Sequence, residues 1–535
     1  ESLQDVPLAI SALTAEQIQR QGIRDLDDVV KLTPSVQFDN SFGPADTRIT
    51  VRGLSNTRGR SNVAFLVDGV DVTTENLVTA GSGLLANRRL LNDVERIEIV
   101  KGPQSALYGR AAFAGAISYI SKEPGTEVEA RLSADIAEDD QYVVDFSYGG
   151  PVKGMEDVLG VRVSGVFWDE AGRFTNSISG NEVGGSDGFG GALTAVWTPI
   201  DELKVKWRTE YTDENYQPRA VARVGGGLPA ELRPTPDGSQ DNTWQFVINP
   251  DGTRTSIDAN GDGFPDLNPG STYTCPQGST FKLYPTSALD TNEIAVGPAG
   301  STSLRLGDFG PGFCLPETFG DASGLTIAQS EDPFTGEDYT GTDQQTFRTS
   351  LNLSLDVGAG TLTSITGYTD FRSFDTYDQD YQAVSRPDPL LGMQNSRTTN
   401  ETEQFSQEIR FASDFDGPIN FIVGGFYWKE DRRLQDQNYI AFCAPVARQT
   451  AQLYATPAVT PNGANGFDAC NGFTAQEIIR ELPVSAATNA ANGLPPIDDP
   501  YIAATIWDAD TDHWSLYVSF DWQMTETLKL TFENR

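Results

Sequence analysis

Histidine is nearly missing from these 535 residues: there is one, His513, alongside three methionines and four cysteines. So few imidazole and thioether donors argue against direct coordination of a bare soft metal. No GxSxG, Walker-type loop or HExxH accompanies the lone histidine, which removes the common nucleophile–base, phosphate-cradle and zinc-hydrolase arrangements. At a strand start beside Trp514, His513 reads as an interface residue. Basic residues are scarce too, with 38 Lys+Arg against 75 Asp+Glu and a net charge of −37. Such a surface repels phosphate backbones, so nucleic acid is a poor partner. No apolar run reaches the length of about 18 residues that a membrane-spanning helix needs. That exclusion does not extend to a membrane barrel, whose strands need only about ten alternating residues. None of Cys275, Cys314, Cys443 and Cys470 has CxxC spacing, and two disulfides in an oxidising compartment fit them better than zinc. The start, Glu1-Ser2-Leu3, carries no initiator Met, so processing or trimming is expected.

What the chain does have is glycine (52), aromatics (10%) and a hydrophobic fraction of only 38%, the balance of a β-protein with long polar loops. The stretch Asp93 to Pro124, DVERIEIVKGPQSALYGRAAFAGAISYISKEP, organises the first part. Period-two alternation through Ile97 and Ile99 predicts a strand over 95–100. Lys101-Gly102-Pro103 breaks it, Ser105 to Tyr108 makes one helical turn, and Ala116 to Ile120 predicts a second strand. Earlier, Thr14-Ala15-Glu16-Gln17 is a capping box opening a short helix that Gly22 ends. A second helix is expected from about Asp25 to Leu32, stopped by Thr33-Pro34. Strands are expected at 36–38, 48–51 and 64–67, the last followed by an Asp68-Gly69 turn.

RITVRG (48–53), FLVDGV (65–70), ERIEIVKGPQSALYG (95–109) and GAISYISKEP (115–124), in that order, resemble the plug domain of TonB-dependent outer-membrane receptors. The resemblance covers about residues 1 to 125 and implies a membrane β-barrel around an N-terminal α+β plug. It also implies a Gram-negative outer-membrane location, lipid contact, and active import of a scarce solute, most often a ferric siderophore. The plug would gate the lumen until the periplasmic partner TonB acts on it, and the receptor would be no enzyme and need no cofactor. Glycans and other nutrients are carried on the same scaffold, and a non-transporting adhesion or structural protein is a further alternative. The TonB box is expected upstream of Glu1.

From Glu127 onward the alternation persists. Leu203, Val205, Trp207 and Tyr211 oppose Lys204, Lys206, Arg208 and Glu210; Trp514, Leu516, Val518, Phe520 and Trp522 oppose Ser515, Tyr517, Ser519 and Asp521. About eleven antiparallel strands are expected: 127–137, 141–149, 158–169, 187–198, 202–213, 344–356, 360–373, 400–413, 418–431, 511–523 and 526–535. Short turns follow every second strand, and the very long connections, about 214–343 and 432–510, share the other end. This parity is that of a barrel with periplasmic turns and outward loops. Eleven strands are too few to enclose such a plug, whereas large plugged transporters have 22. Residues 126–535 therefore read as the N-terminal half of a barrel, the rest expected beyond Arg535. Trp197 and Trp522 are expected at one membrane interface, Trp168 and Trp428 at the other.

Three sets of residues are candidates for function. The plug cations Arg52 and Lys101, following plug strands, are expected to pair with the lumen-facing carboxylates Glu210 and Glu408 as a breakable plug–barrel latch; the choice of Arg52 rests on the family resemblance. The loop Asp258-Ala-Asn260-Gly-Asp262-Gly-Phe264-Pro-Asp266 has the spacing of a calcium site, through the Asp258, Asn260, Asp262 and Asp266 side chains and the Phe264 carbonyl. Its twelfth position is Pro269 where a Glu belongs, so calcium and a plain turn both stay open. Local disulfides, Cys275–Cys314 and Cys443–Cys470, are favoured over the two crossed pairings and would add about 3–4 kcal/mol each by chain entropy.

Overall fold

In the computed structural model, the described residues are 9–23, 26–39, 48–54, 61–75, 93–103, 108–138, 140–221, 337–378, 393–441, 503–525 and 528–535, with short pieces at 247–248, 254–255, 272–274, 280–285, 294–297, 327, 329 and 332. The first part is built on a five-stranded sheet in the order Ala9–Thr14, Val94–Lys101, Gly115–Ser121, Val63–Val67, Val70–Asp71. Its central pair, Val63–Val67 with Gly115–Ser121, is parallel and the other pairs are antiparallel. Parallel strands are usually covered on both faces, and this is why Ala64, Phe65, Ile97, Ile99, Ile117 and Tyr119 are all buried. Helix Ala15–Arg20 opens on Thr14, whose side chain accepts from Gln17 while the Gln17 side chain answers the Thr14 amide. Helix Leu26–Lys31 adds Leu26, Val29 and Val30 to the core. Of the expected helical turn at 105–108, only Tyr108 lies among the described residues.

From Glu129 on, the described residues form an eleven-stranded antiparallel sheet, each strand pairing with its neighbour in sequence: 129–137, 141–151, 159–170, 186–200, 203–216, 341–356, 360–378, 393–413, 419–441, 503–525 and 528–534. The edge strands Glu129–Ala137 and Leu528–Asn534 are not paired with each other. Strands after residue 340 run longer than expected, up to the 23 residues of Ile419–Ala441. The reason lies on their outer face: beyond Tyr427 it continues with Lys429, Asp431 and Arg433. Pairing there continues past the apolar band, where alternation of hydrophobicity no longer marks a strand.

The outer face carries Phe167, Phe189, Tyr211, Phe347, Phe405, Tyr427 and Trp514, each exposed by 38% or more. So continuous an apolar surface suits lipid and not water. The tryptophans differ from expectation. Trp197 and Trp522 point outward, but Trp168 and Trp428 are fully buried on the inner face. Both share the parity of lumen-facing residues, Arg162 with Trp168 and Glu430 with Trp428, and parity overrides any preference of indole for an interface.

The inner face packs on the plug. Ile365 and Phe371, from strand Gly360–Asp378, belong to the same buried cluster as Phe65, Val67, Val70 and Ile117. Between them Gly367 lets the plug approach: a Cβ there would stand 2.2 Å from Val70 Cγ1.

Candidate functional site

The plug meets the wall through charge. Val67 and Val70 pair across the tight turn Asp68-Gly69, where both residues have positive φ (51° and 86°). This is the geometry Asp-Gly hairpins favour. The turn directs the Asp68 carboxylate inward, where it accepts from the Ser121 amide (2.9 Å), the Ser121 hydroxyl (2.6 Å) and Lys206 Nζ of the wall (3.0 Å). Asp93, immediately before strand Val94–Lys101, is 1% exposed and accepts from Arg162 Nε at 2.9 Å and from Arg208 Nη1. Arg208 also holds Glu210 (3.0 Å), and Glu210 holds Arg348 (3.1 Å). Two plug carboxylates thus sit in a socket of three wall cations, and the wall carboxylate Glu210 ties one of these, Arg208, to a fourth, Arg348.

The cations share a face because Lys206 and Arg208 alternate along Leu203–Tyr216, with Arg348 inward on the strand paired to it and Arg162 inward on the strand beyond Ser186–Ile200. Lys206, Arg208 and Arg162 lie three to five residues from the short-turn ends of Leu203–Tyr216 and Leu159–Glu170, about 10–17 Å along the strand. Beside the socket a cavity of about 580 Å³ opens between plug and wall, lined among others by Asp68, Lys206, Glu408, Arg410, Tyr517 and Arg535.

Burial by itself, the largest influence, pushes the Asp68 carboxyl upward. The Lys206 and Arg208 charges and two hydrogen bonds from Ser121 together outweigh it and hold the group below its ordinary value. A carboxylate depressed in the seated plug contributes stability at pH above its ordinary value and loses it as pH falls through the seated one. Protease protection of the plug at Lys122 is therefore expected to stay constant from pH 8 to 5 and to fall only below about pH 4. Loosening that begins at pH 6 would contradict this assignment.

The expected latch is corrected in its polarity. Arg52 is exposed, sits in a turn with φ of 52°, and makes no ion pair among the described residues. It lies beside Lys101, whose ammonium is held below its usual range by burial and by the Arg52 charge. Two like charges so close are not partners for Glu408, and Lys101 likewise has no carboxylate partner among the described residues. Glu408 instead accepts from the Tyr517 hydroxyl (2.6 Å) and from Arg410 (3.4 Å), all on the wall. Glu210 is linked to the plug through Arg208, which holds Asp93. None of Asp68, Asp93, Arg162, Lys206, Arg208 and Arg348 is among the latch residues expected from the sequence, because the cations are expected there on the plug. Alternation had already put Lys206 and Arg208 on the polar face, and an Asp directly before a strand was the remaining signal.

The four cysteines and the loop Asp258 to Asp266 lie outside the described residues. Among the described residues no group of three or more His, Cys, Asp or Glu converges on a metal site.

A family model, the TonB-dependent Receptor Plug Domain, matches residues 2–116. The pesticin receptor of Yersinia pestis is 26% identical over 145 residues, which are 27% of this chain and 20% of that protein. The ferric enterobactin receptor of Pseudomonas aeruginosa is 34% identical over 135 residues, 23% of this chain and 18% of that protein. Among solved structures, the ferric yersiniabactin uptake receptor of Yersinia pestis superposes with a TM-score of 0.56 at 14% identity, covering 98% of this chain and 55% of that one. The ferric-catecholate import receptor of E. coli K12 gives 0.53 at 13% identity, over 99% and 56%. The chain thus spans about half the length of these solved structures and aligns with about a fifth of the curated relatives. A matched plug sequence, a lipid-suited sheet wrapped on it, and neighbours of the same fold lead to one conclusion: residues 2–116 are a TonB-dependent receptor plug domain, and the chain as a whole has the fold of the outer-membrane receptors that carry such a plug.

Proposed function

We propose that this chain forms the plug (residues 1–125) and the first part of the barrel (126–535) of an active importer that draws a scarce solute through the outer membrane. The observation that carries the reading is Asp93, clasped by Arg162 and Arg208 of the wall. A plug held by buried ion pairs, and not by a covalent or purely apolar seal, stays closed at rest and remains displaceable by work. That work would come from a TonB-type partner on the short-turn side, and outer loops would receive the solute. A ferric siderophore is the favoured solute, since relatives are named as ferric enterobactin receptors and a structural neighbour as a ferric yersiniabactin uptake receptor. A glycan, cobalamin-like cargo or another nutrient is the second reading, supported by the relative named vitamin B12 transporter.

The test is uptake of iron-55 siderophores of catecholate, hydroxamate and mixed type by cells carrying the receptor, with and without TonB. Uptake that appears only with both supports import. Binding that is equal in both strains, with nothing internalised, favours a non-transporting adhesin. The proposed disulfides Cys275–Cys314 and Cys443–Cys470 are checked separately by non-reducing peptide mapping, where two local pairs are expected and crossed pairs would refute them. Calcium at Asp258, Asn260, Asp262, Phe264 and Asp266 is expected to slow proteolysis of that loop in a chelator-reversible way.

A further inference from the structure

The plug has a second attachment, higher on the wall and built differently. Arg110 lies between Gly109 (φ 85°) and Ala111 (φ 66°), a turn that thrusts its side chain across to the segment after strand Val70–Asp71. Its guanidinium meets Asp71 (3.1 Å), Glu75 (2.8 Å) and the Thr73 carbonyl, and its central carbon lies over the Trp428 ring, 3.3 Å from the centroid. The wall grips the same segment from the other side. Gln404 Nε2 donates to the Thr73 carbonyl (3.2 Å), Arg432 Nη1 donates to the Glu75 carbonyl, and Glu430 accepts from the Glu75 amide (3.4 Å). Trp428 and Glu430 lie nine and eleven residues beyond Ile419, about 30–37 Å along the strand from the short-turn end.

The two attachments differ in how well they are satisfied. No buried polar atom of the plug carboxylates Asp68 and Asp93, or of Lys206, Arg162 and Arg208 that hold them, lacks a partner among the described residues. In the upper one, Trp428 Nε1, Arg432 Nη2, Asn400 Nδ2 and Gln404 Oε1 are buried with no hydrogen-bond partner among the described residues. Each such atom costs about 1–3 kcal/mol relative to water, and a half-satisfied buried network is the weak point of a contact. Opening the upper attachment hydrates these atoms; opening the lower one strands buried charges.

We infer that Arg110 is the release point of the plug: its stack on Trp428 opens before the socket around Asp93 does, so the segment Val72 to Glu75 detaches while the plug stays seated. Arg110 acts as a positioning residue, joining two plug segments to the wall through one planar group, a role lysine cannot fill because it lacks the fork and the plane.

Amide hydrogen exchange on the full receptor in detergent reads both attachments at once. Thr73 and Glu75 donate into the upper attachment, Ser121 and Lys122 into the lower. Thr73 is fully buried, so exposure alone does not speed its exchange. In the unaltered protein Thr73 and Glu75 are expected to exchange at least about tenfold faster than Ser121 and Lys122. Arg110→Ala is expected to accelerate the first pair by about tenfold more and leave the second unchanged, with Arg110→Lys restoring only part of the protection. Should Arg110→Ala fail to fold, Trp428→Leu keeps the ion pairs and removes the stack, and the upper pair is expected to speed up by about twofold to thirtyfold. Equal protection of the two pairs in the unaltered protein, or equal acceleration of both in any variant, overturns the inference.

Discussion

Asp93→Ala unseats the plug. The carboxylate is 1% exposed and is the shared partner of Arg162 and Arg208, themselves 4% and 2% exposed. Its removal leaves two guanidiniums away from water, with Glu210 and the neutral Thr194 hydroxyl left to answer Arg208. Breaking a buried pair from one side costs about 3–5 kcal/mol, a shift of about two to three and a half decades in the seated fraction. Cells carrying the variant are expected to admit a large antibiotic that the unaltered receptor excludes, without loss of solute binding at the outer loops. Asp93→Asn, which keeps the shape and one acceptor but drops the charge, is expected to fall between the two. Antibiotic exclusion by Asp93→Ala equal to that of the unaltered receptor would show that the socket does not hold the plug.

Gly367→Val is expected to lift the plug from the wall by crowding. The first added carbon would fall 2.2 and 2.9 Å from the two methyl carbons of Val70 and 3.1 Å from Ser406 Oγ. Val70 cannot retreat, because it pairs with Val67 and is packed among Phe65, Ile365 and Phe371. Overpacking of this kind costs about 1–3 kcal/mol, and here it also drags Asp71, the next residue, away from Arg110. Limited trypsin digestion should cut the plug at Arg110 and Lys122 many times faster in this variant. The companion change Val70→Ala removes the opposing methyls, so the double variant is expected to recover most of the protection. A double variant as sensitive as Gly367→Val alone would place the damage within the barrel strand and not at the contact.

Much of this architecture is carried by local pattern. Each of the eleven strands of the large sheet is marked over its lipid-facing length by period-two alternation, which works because one face meets lipid and the other a polar lumen. The capping box at Thr14 to Gln17 and the Asp68-Gly69 turn are likewise local, since neighbouring atoms alone satisfy their hydrogen bonds and φ angles. Parity on a strand also fixes direction, so Lys206, Arg208 and Glu408 were assignable to the lumen before any contact was known.

Pairing was a different matter. Whether Asp93 or Arg52 meets the wall depends on how a plug of about a hundred residues is rotated inside a curved sheet, and no local rule contains that rotation. Arg52, conspicuous beside a strand, points to solvent next to Lys101; Asp93, at the margin of the motif, points into the socket. The inward turn of Trp168 and Trp428 shows the same division. Their parity was readable in the chain, but that a buried arginine waits for Trp428 was not. The amino-acid order determined which residues face inward and where strands begin and turn, because those choices rest on neighbours two to four positions away. The tertiary structure alone decided which charges meet and which buried polar atoms go without a partner, because those contacts join residues tens to hundreds of positions apart.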